Sequence, residues 1–232
     1  MLTSAEAVSL KDNDKLLLYI HIGKCGGTSV WRAINASPKL QYEFQRIERV
    51  HVLQAPILAK CKYLIVIRNP IKRALSAFNW RYKLVVESAI QKNRFDGEYD
   101  VLTKYQTLNN MAENLYQNGE LDKAVANEFR LIHHLKEDIA FYIGELLNDL
   151  KMEQIYGVLA TESLNEDIEN VLGVTITWKM FENSSSTISE KKYLSDIAYL
   201  NLKKFLSKDY AAIKKLLKLS NSTNSKEHTL LS

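Results

Sequence analysis

Short continuous apolar runs alternate along the chain with longer segments in which apolar residues recur every three or four positions. The first pattern is typical of buried strands and the second of amphipathic helices. The predicted strands cover 16–22, 43–50, 62–67 and a stretch within 154–164. The predicted helices cover 27–36, 53–60 and 70–90, and helical spacing returns over 121–150 and 189–218. Strands that alternate with helices predict an α/β fold in which helices flank a central parallel sheet.

Two segments lack this periodicity. Residues 91–120 are polar and contain several Asn, Asp and Gly, so they form either a lid that faces a substrate or a plain surface insertion. Residues 219–232 are polar and are predicted to form a disordered tail. The chain has 232 residues, 46% of them hydrophobic, which is enough for one sizeable core. We therefore expect a single catalytic domain over 1–218.

The stretch LLLYIHIGKCGGTS, residues 16–29, ends a predicted strand in a glycine-containing loop just before a predicted helix. The pair Gly26 and Gly27 lets the backbone approach an anion closely, and the N–H groups at the start of a helix favour negative charge. Lys24 adds a full positive charge, while Thr28 and Ser29 add hydroxyl groups. The loop therefore predicts a site for phosphate or sulfate esters, with a chance Gly-Gly turn as the alternative.

The order of residues in this loop differs from that of the common phosphate loop of nucleoside triphosphatases. In GxxxxGK[ST] the lysine follows the second glycine, whereas Lys24 precedes the glycine pair. Such enzymes also need an acidic magnesium ligand, but the strand over 63–67 runs into Arg68. We therefore expect a cation-rich site without a metal, and a nucleotide kinase of related architecture is the less favoured alternative.

The stretch KYLIVIRNPIKRALSAF, residues 62–78, repeats the order of strand, turn and helix. Pro70 suits the first turn of a helix, and Arg68 stands where the strand ends. The planar guanidinium of Arg68 is suited to bidentate binding of a phosphate, and Arg73 and Ser76 follow on the first turns of the helix. A single arginine at a strand end is usually a solvated surface charge, but two such junctions in one chain indicate a shared anion site.

These two motifs together resemble those of the sulfotransferases that use 3′-phosphoadenosine 5′-phosphosulfate, most closely the carbohydrate-type branch. HIGKCGGTS is similar to the 5′-phosphosulfate loop of that family, commonly HIPKTGGTS, and RNPIKRALSAF is similar to its 3′-phosphate motif. The resemblance implies a three-layer, P-loop-like fold with a central parallel sheet. The donor-binding residues that it implies lie in the two loops: Lys24, Gly26, Gly27, Thr28 and Ser29 for the 5′ side, and Arg68, Arg73 and Ser76 for the 3′-phosphate motif.

The sequence departs from the family pattern at three positions. Gly23 replaces the usual proline and is expected to loosen the loop. Cys25 replaces the usual threonine, which exchanges a hydroxyl for a weaker hydrogen-bonding thiol. Asn69 replaces an acidic residue and is expected to alter how Arg68 is braced. Farther along the chain, Asn183 and Ser184–Ser186 are candidates for a loop that approaches the nucleotide.

Sulfuryl transfer requires a positive charge beside the leaving oxygen and a base for the proton of the acceptor hydroxyl. Lys24 is the candidate for the first task, since fixed cations at a developing anion contribute much of catalysis. Histidine suits the second task. His51 is the first choice because it follows a predicted strand, at the sheet edge where ligand sites collect. His133 and His134, at the start of a helical pattern, are alternative bases.

Composition limits which binding partners and which cellular compartment we expect. The net charge of +4, from 31 Lys and Arg against 27 Asp and Glu, is too small to indicate nucleic-acid binding. Cys25 and Cys61 form no CxxC pair, so neither zinc nor a disulfide framework is indicated and a reducing compartment fits. No leader and no apolar run of about 20 residues stands out, so we expect a cytoplasmic protein, with a trimmed catalytic domain as the alternative.

The expected co-substrates are 3′-phosphoadenosine 5′-phosphosulfate and a hydroxyl-bearing acceptor, on a glycan or another small molecule, and no metal is expected. The alternative from a different class is a protein that binds the nucleotide without transferring sulfate. The sequence leaves the acceptor and the oligomeric state open.

Overall fold

The computed structural model describes residues 10, 12–175, 193–222 and 224–232 of the chain. The chain divides into two compact units. The first contains Met1–Asn69, Ile139–Met180 and Asp209–Ser232, and the second contains Pro70–Asp138 and Phe181–Lys208. The single catalytic domain over 1–218 stays a prediction.

The strands, in chain order, are β1 (Leu16–His21), β2 (Arg46–His51), β3 (Lys62–Ile67), β4 (Tyr116–Gln117), β5 (Glu120–Leu121) and β6 (Ile155–Ala160). The longer strands form a four-stranded parallel sheet in the first unit, in the order β2-β1-β3-β6. The central strands β1 and β3 are buried along nearly their whole length, which explains why they are continuous apolar runs in the sequence. The predicted α/β fold with a parallel sheet flanked by helices is confirmed.

The α-helices of the described ranges are α1 (Gly27–Ala36), α2 (Pro38–Glu43), α3 (Pro70–Tyr82), α4 (Glu98–Tyr105), α5 (Leu108–Glu113), α6 (Lys123–Leu131), α7 (Ile139–Ile143), α8 (Leu146–Asp149), α9 (Leu164–Leu172), α10 (Asp196–Phe205), α11 (Ser207–Leu219) and α12 (Asn224–Leu231). In these ranges, no helix has both the length and the apolar character that crossing a bilayer requires. The predicted helix over 27–36 is confirmed by α1.

Residues 53–60 do not form the predicted helix. The carboxylate of Asp12 instead accepts hydrogen bonds from the backbone N–H groups of Ala59, Lys60 and Cys61, at 2.8 to 3.0 Å for the shortest contact of each. Pro56 lies in this segment, and its carbonyl oxygen accepts a hydrogen bond from the Tyr63 hydroxyl at 2.8 Å. These contacts fix the segment as an irregular connection between β2 and β3.

Two further segments differ from the sequence predictions. Residues 91–120, predicted to be irregular, contain α4 and α5, on which Leu102, Leu108 and Met111 are fully buried. Residues 219–232, predicted to be a disordered tail, contain α12. Leu230 of this helix is buried, Asn69 Nδ2 donates to its carbonyl oxygen at 3.0 Å, and Lys226 Nζ forms an ion pair with Asp167 at 2.7 Å. Contacts with residues far away in the chain therefore order this polar segment.

Candidate active site

The loop between β1 and α1 adopts a conformation that few non-glycine residues accept. Lys24 has a φ of 69°, and Gly26, which caps α1, has a φ of 78°. A left-handed lysine is strained by about 1 to 3 kcal/mol, and such strain concentrates at functional sites. The loop closes through a hydrogen bond from Cys25 N to the Ile22 carbonyl oxygen at 3.3 Å. Directly after this turn, the backbone N–H groups of Ser29 and Val30 donate to the Gly26 carbonyl oxygen at 3.1 and 3.2 Å, which begins α1.

Both glycines of the loop are required by their surroundings. A Cβ on Gly26 would lie 2.7 Å from Leu164 Cδ2, and its positive φ already disfavours a side chain. A Cβ on Gly27 would lie 1.8 Å from His21 Nε2, inside the volume of the imidazole ring. The Tyr19 hydroxyl also donates to the Gly27 carbonyl oxygen at 3.2 Å. The glycine pair is therefore set by close packing against strand β1 and helix α9.

The side chains of this loop differ in exposure. Thr28 is exposed, Lys24 is partly buried and Ser29 is 9% exposed. The first turn of α1 therefore carries one exposed and one buried hydroxyl residue. Cys25 is fully buried, and its Sγ lies 3.9 Å from the Gly23 carbonyl oxygen. Cys25 therefore contributes its side chain to the core.

Arg68, at the end of β3, is joined to the loop at the end of β1. Its Nη1 donates to the Lys24 carbonyl oxygen at 3.1 Å. Its Nε is buried and has no acceptor in the described part of the chain. A buried guanidinium N–H without a partner is costly, and an anionic oxygen would satisfy it. Lys24 and Arg68, which were predicted to share an anion site, thus follow the adjacent strands β1 and β3, and a hydrogen bond joins them.

A carboxylate that the sequence argument did not select lies beside Arg68. Glu162 follows β6, and its Oε1 accepts from Asn69 N at 3.1 Å. Its Oε2 is buried and has no donor among the residues that the structure describes. Thr161, next to it, donates from its hydroxyl to the Ile67 carbonyl oxygen at 3.1 Å. The sequence contains a comparable signal, since Glu162 lies shortly after β6 as Arg68 lies after β3.

Arg73, which the motif implied for donor binding, is held by backbone carbonyl oxygens. It is 2% exposed, and its Nη2 donates to the carbonyl oxygens of His134 at 2.9 Å and Glu137 at 2.8 Å. These bonds connect Arg73 to the turn that follows α6, and its role in donor binding stays a prediction. Ser76 lies on the second turn of α3, in the second unit, and is partly buried.

His51, at the carboxyl end of β2, is held by two contacts with His21 on the neighbouring strand. The two imidazole rings stack with centroids 4.1 Å apart, and His51 Nδ1 lies 2.8 Å from the His21 carbonyl oxygen. The stack continues through Tyr19, whose ring centroid is 5.7 Å from that of His21. Burial, with the adjacent His51 and Arg49, lowers the pKa of His21 to about 3. His21 is therefore neutral at physiological pH.

The alternative bases lie in the second unit. His133 stacks on Phe95 with ring centroids 4.4 Å apart, and its backbone N–H donates to Glu98 Oε1 at 2.8 Å. Burial, followed by the positive charge of Arg81, lowers its pKa. His134 has a φ of 70° and uses its carbonyl oxygen to accept from Arg73. These contacts give both residues structural roles in the turn after α6.

Comparisons with known proteins do not extend this description: no family model matches the chain, and no curated protein matches it. In the described ranges, no group of three or more His, Cys, Asp or Glu side chains is placed to hold a metal ion. Asn183 and Ser184–Ser186, the candidates for a nucleotide-facing loop, lie outside the described residues.

Proposed function

We propose that the chain is a sulfotransferase of P-loop-like fold that moves a sulfuryl group from 3′-phosphoadenosine 5′-phosphosulfate to a hydroxyl of a carbohydrate. The observation that carries this proposal is the 3.1 Å hydrogen bond from Arg68 Nη1 to the Lys24 carbonyl oxygen. This bond brings an arginine at the end of β3 to a lysine-bearing glycine loop at the end of β1. A donor with phosphate groups on both sides of one ribose needs cationic groups at two such positions.

The residues of the first unit fit this donor. Gly26 and Gly27 lead into α1, and the backbone N–H groups at the start of a helix favour an anion. Lys24 supplies a positive charge for the oxygen that leaves sulfur. Arg68 Nε, buried without an acceptor in the described ranges, provides a donor for a phosphate oxygen. The bound nucleotide supplies the sulfuryl group, and the bond between sulfur and the 5′-phosphate oxygen breaks as the acceptor oxygen bonds to sulfur. His51 takes the proton of the acceptor hydroxyl.

The test is transfer of labelled sulfate from this nucleotide to a panel of acceptors: desulfated glycosaminoglycans, simple sugars, phenols and a peptide that contains tyrosine. We expect product on a carbohydrate, and a loss of about 100- to 1,000-fold in kcat for Lys24→Ala. Lys214→Ala, on the exposed face of α11, removes the same charge away from the loop and controls for net charge. Tight nucleotide binding without transfer to any acceptor would instead favour a nucleotide-binding protein.

Glu162 is the specific observation that favours a second candidate. A carboxylate oxygen that is buried without a donor in the described ranges, at the end of a strand beside a phosphate loop, is the kind of group that holds magnesium in phosphoryl-transfer enzymes. Magnesium-dependent hydrolysis of ATP that Glu162→Gln abolishes would establish this alternative. Retention of nucleotide binding in a chelator would argue against it.

A further inference from the structure

His21 is in contact with both the anion loop and the candidate base. Its imidazole ring occupies the space where a Cβ on Gly27 would lie, with its Nε2, Cδ2 and Cε1 at 1.8, 1.9 and 2.6 Å from that position. The ring is also stacked on His51 at 4.1 Å, with the two planes 16° apart. Tyr19 stacks on His21, and the Tyr19 hydroxyl binds the Gly27 carbonyl oxygen. A displacement of the His21 ring would therefore affect the loop and His51 together.

The main chain of His21 determines the tautomer of His51. His51 Nδ1 lies 2.8 Å from the His21 carbonyl oxygen. A carbonyl oxygen only accepts hydrogen bonds, so the proton of the neutral His51 ring must be on Nδ1. In this tautomer the ring has its basic lone pair on Nε2, the nitrogen on the opposite side of the ring.

We propose that His21 is a positioning residue for sulfuryl transfer: its carbonyl oxygen keeps His51 in the Nδ1–H tautomer, and its ring fixes the orientation of His51 relative to the loop at Gly27. The inference rests on the proposed function. The low pKa of His21 supports it, because a neutral ring does not repel the proton that His51 accepts. The His21 Nδ1 atom is buried without a partner in the described ranges. The charged ring would carry a second N–H, and on this side of the ring it would have no hydrogen-bond acceptor among those residues.

The first test is spectroscopic and does not require turnover. Long-range ¹H–¹⁵N correlation spectra of the full chain distinguish the protonated from the bare nitrogen of each neutral imidazole, and His51→Gln identifies the His51 signals. We expect Nδ1 to be protonated in the wild type. His21→Ala keeps the carbonyl oxygen but removes the stacked ring that holds His51 against it, so we expect His51 to turn away from that oxygen and give a mixture of the two tautomers. His21→Phe keeps an aromatic ring in the stack and should keep the wild-type tautomer.

The second test separates the two contacts of the His21 ring. His21→Ala should lower kcat by about 10- to 100-fold, because a misoriented base loses most of its effect. Titration of His21→Ala with adenosine 3′,5′-bisphosphate measures the effect on the loop separately from the effect on the base. We expect kcat to fall by a larger factor than the affinity for this nucleotide. His21→Phe should recover most of the activity.

Three results would overturn the inference: protonation of His51 on Nε2 in the wild type, an unchanged tautomer in His21→Ala, or a kcat of His21→Ala within twofold of the wild type. Failure of the proposed function gives a different result, namely a wild type that binds no adenosine 3′,5′-bisphosphate. In that case the tautomer and its dependence on the His21 ring remain measurable.

Discussion

Gly27→Ala tests whether the close packing of the loop against β1 is real, and its effect should change sign when His21 is removed. In the wild type, the new Cβ would lie 1.8 Å from His21 Nε2. Reaching an ordinary contact of about 3.5 to 4.0 Å requires the ring to move by about 2 Å. Such a movement disrupts the 4.1 Å stack with His51. Overpacking of this kind costs about 1 to 3 kcal/mol of folding free energy.

In the His21→Ala background the obstructing ring is absent. Gly27 lies in α1 without a positive φ, so alanine there should stabilise the folded state by about 0.4 to 1 kcal/mol. Urea unfolding of the wild type, the two single variants and the double variant is followed by circular dichroism. The four unfolding free energies give the coupling energy between Gly27→Ala and His21→Ala. Gly119→Ala is the control, because its Cβ meets nothing within 4 Å and its effect should be equal in both backgrounds. An equal effect of Gly27→Ala with and without the His21 ring would refute the packing argument.

Three further predictions concern stability, pH and the base. Glu98→Ala should cost about 3 to 5 kcal/mol in thermal or urea unfolding, because Arg81 and Glu98 form a 2.6 Å ion pair with side chains 2% and 1% exposed. Glu128→Ala, in the exposed pair with Lys104, should cost under about 1 kcal/mol. His21 has a pKa of about 3 in the folded chain and about 6.5 when unfolded, so the unfolded chain binds the extra proton as pH falls below about 6.5. The wild type should therefore lose up to about 2 kcal/mol more than His21→Phe between pH 7 and pH 5 in urea unfolding, and equal losses would contradict the low pKa. His51→Ala should lower kcat by about 100-fold or more, whereas His133→Ala should stay within a few-fold, and the reverse order in a transfer assay would move the base to the second unit.

The central strands and the turn before α1 were predictable because their signals are local. Buried strands β1 and β3 are continuous apolar runs, and the glycine pair marks the start of α1. The helix over 53–60 was predicted wrongly because the apolar spacing that indicated it is a local signal. The structure of this segment depends instead on a residue far away in the chain. Asp12, 47 residues before Ala59, binds the backbone of this segment, and no periodicity in the segment itself records that contact.

The two arginines of the second motif show the same limit at the candidate site. Arg68 is the first residue after β3, and Arg73 lies on the first turn of the helix that follows. Arg73 donates to carbonyl oxygens 61 and 64 residues later in the chain, whereas Arg68 donates to the Lys24 carbonyl oxygen, 44 residues earlier. Glu162 was recognisable only by its position shortly after β6, since Asn69, whose N–H it binds, is 93 residues away in the chain. Contacts between residues so far apart in the sequence decide which polar side chains remain available to a ligand.

Calorimetric titration with adenosine 3′,5′-bisphosphate tests the central claim most directly, because it examines the donor site without an acceptor. The titrations compare the wild type, Arg68→Ala and Arg46→Ala, with magnesium ATP as the competing ligand. Arg46 is an exposed arginine at the opposite end of the sheet and controls for loss of charge. We predict binding that is independent of magnesium, weakened by at least tenfold in Arg68→Ala and unchanged in Arg46→Ala. Absence of binding, or a preference for magnesium ATP, would contradict the account and favour phosphoryl transfer.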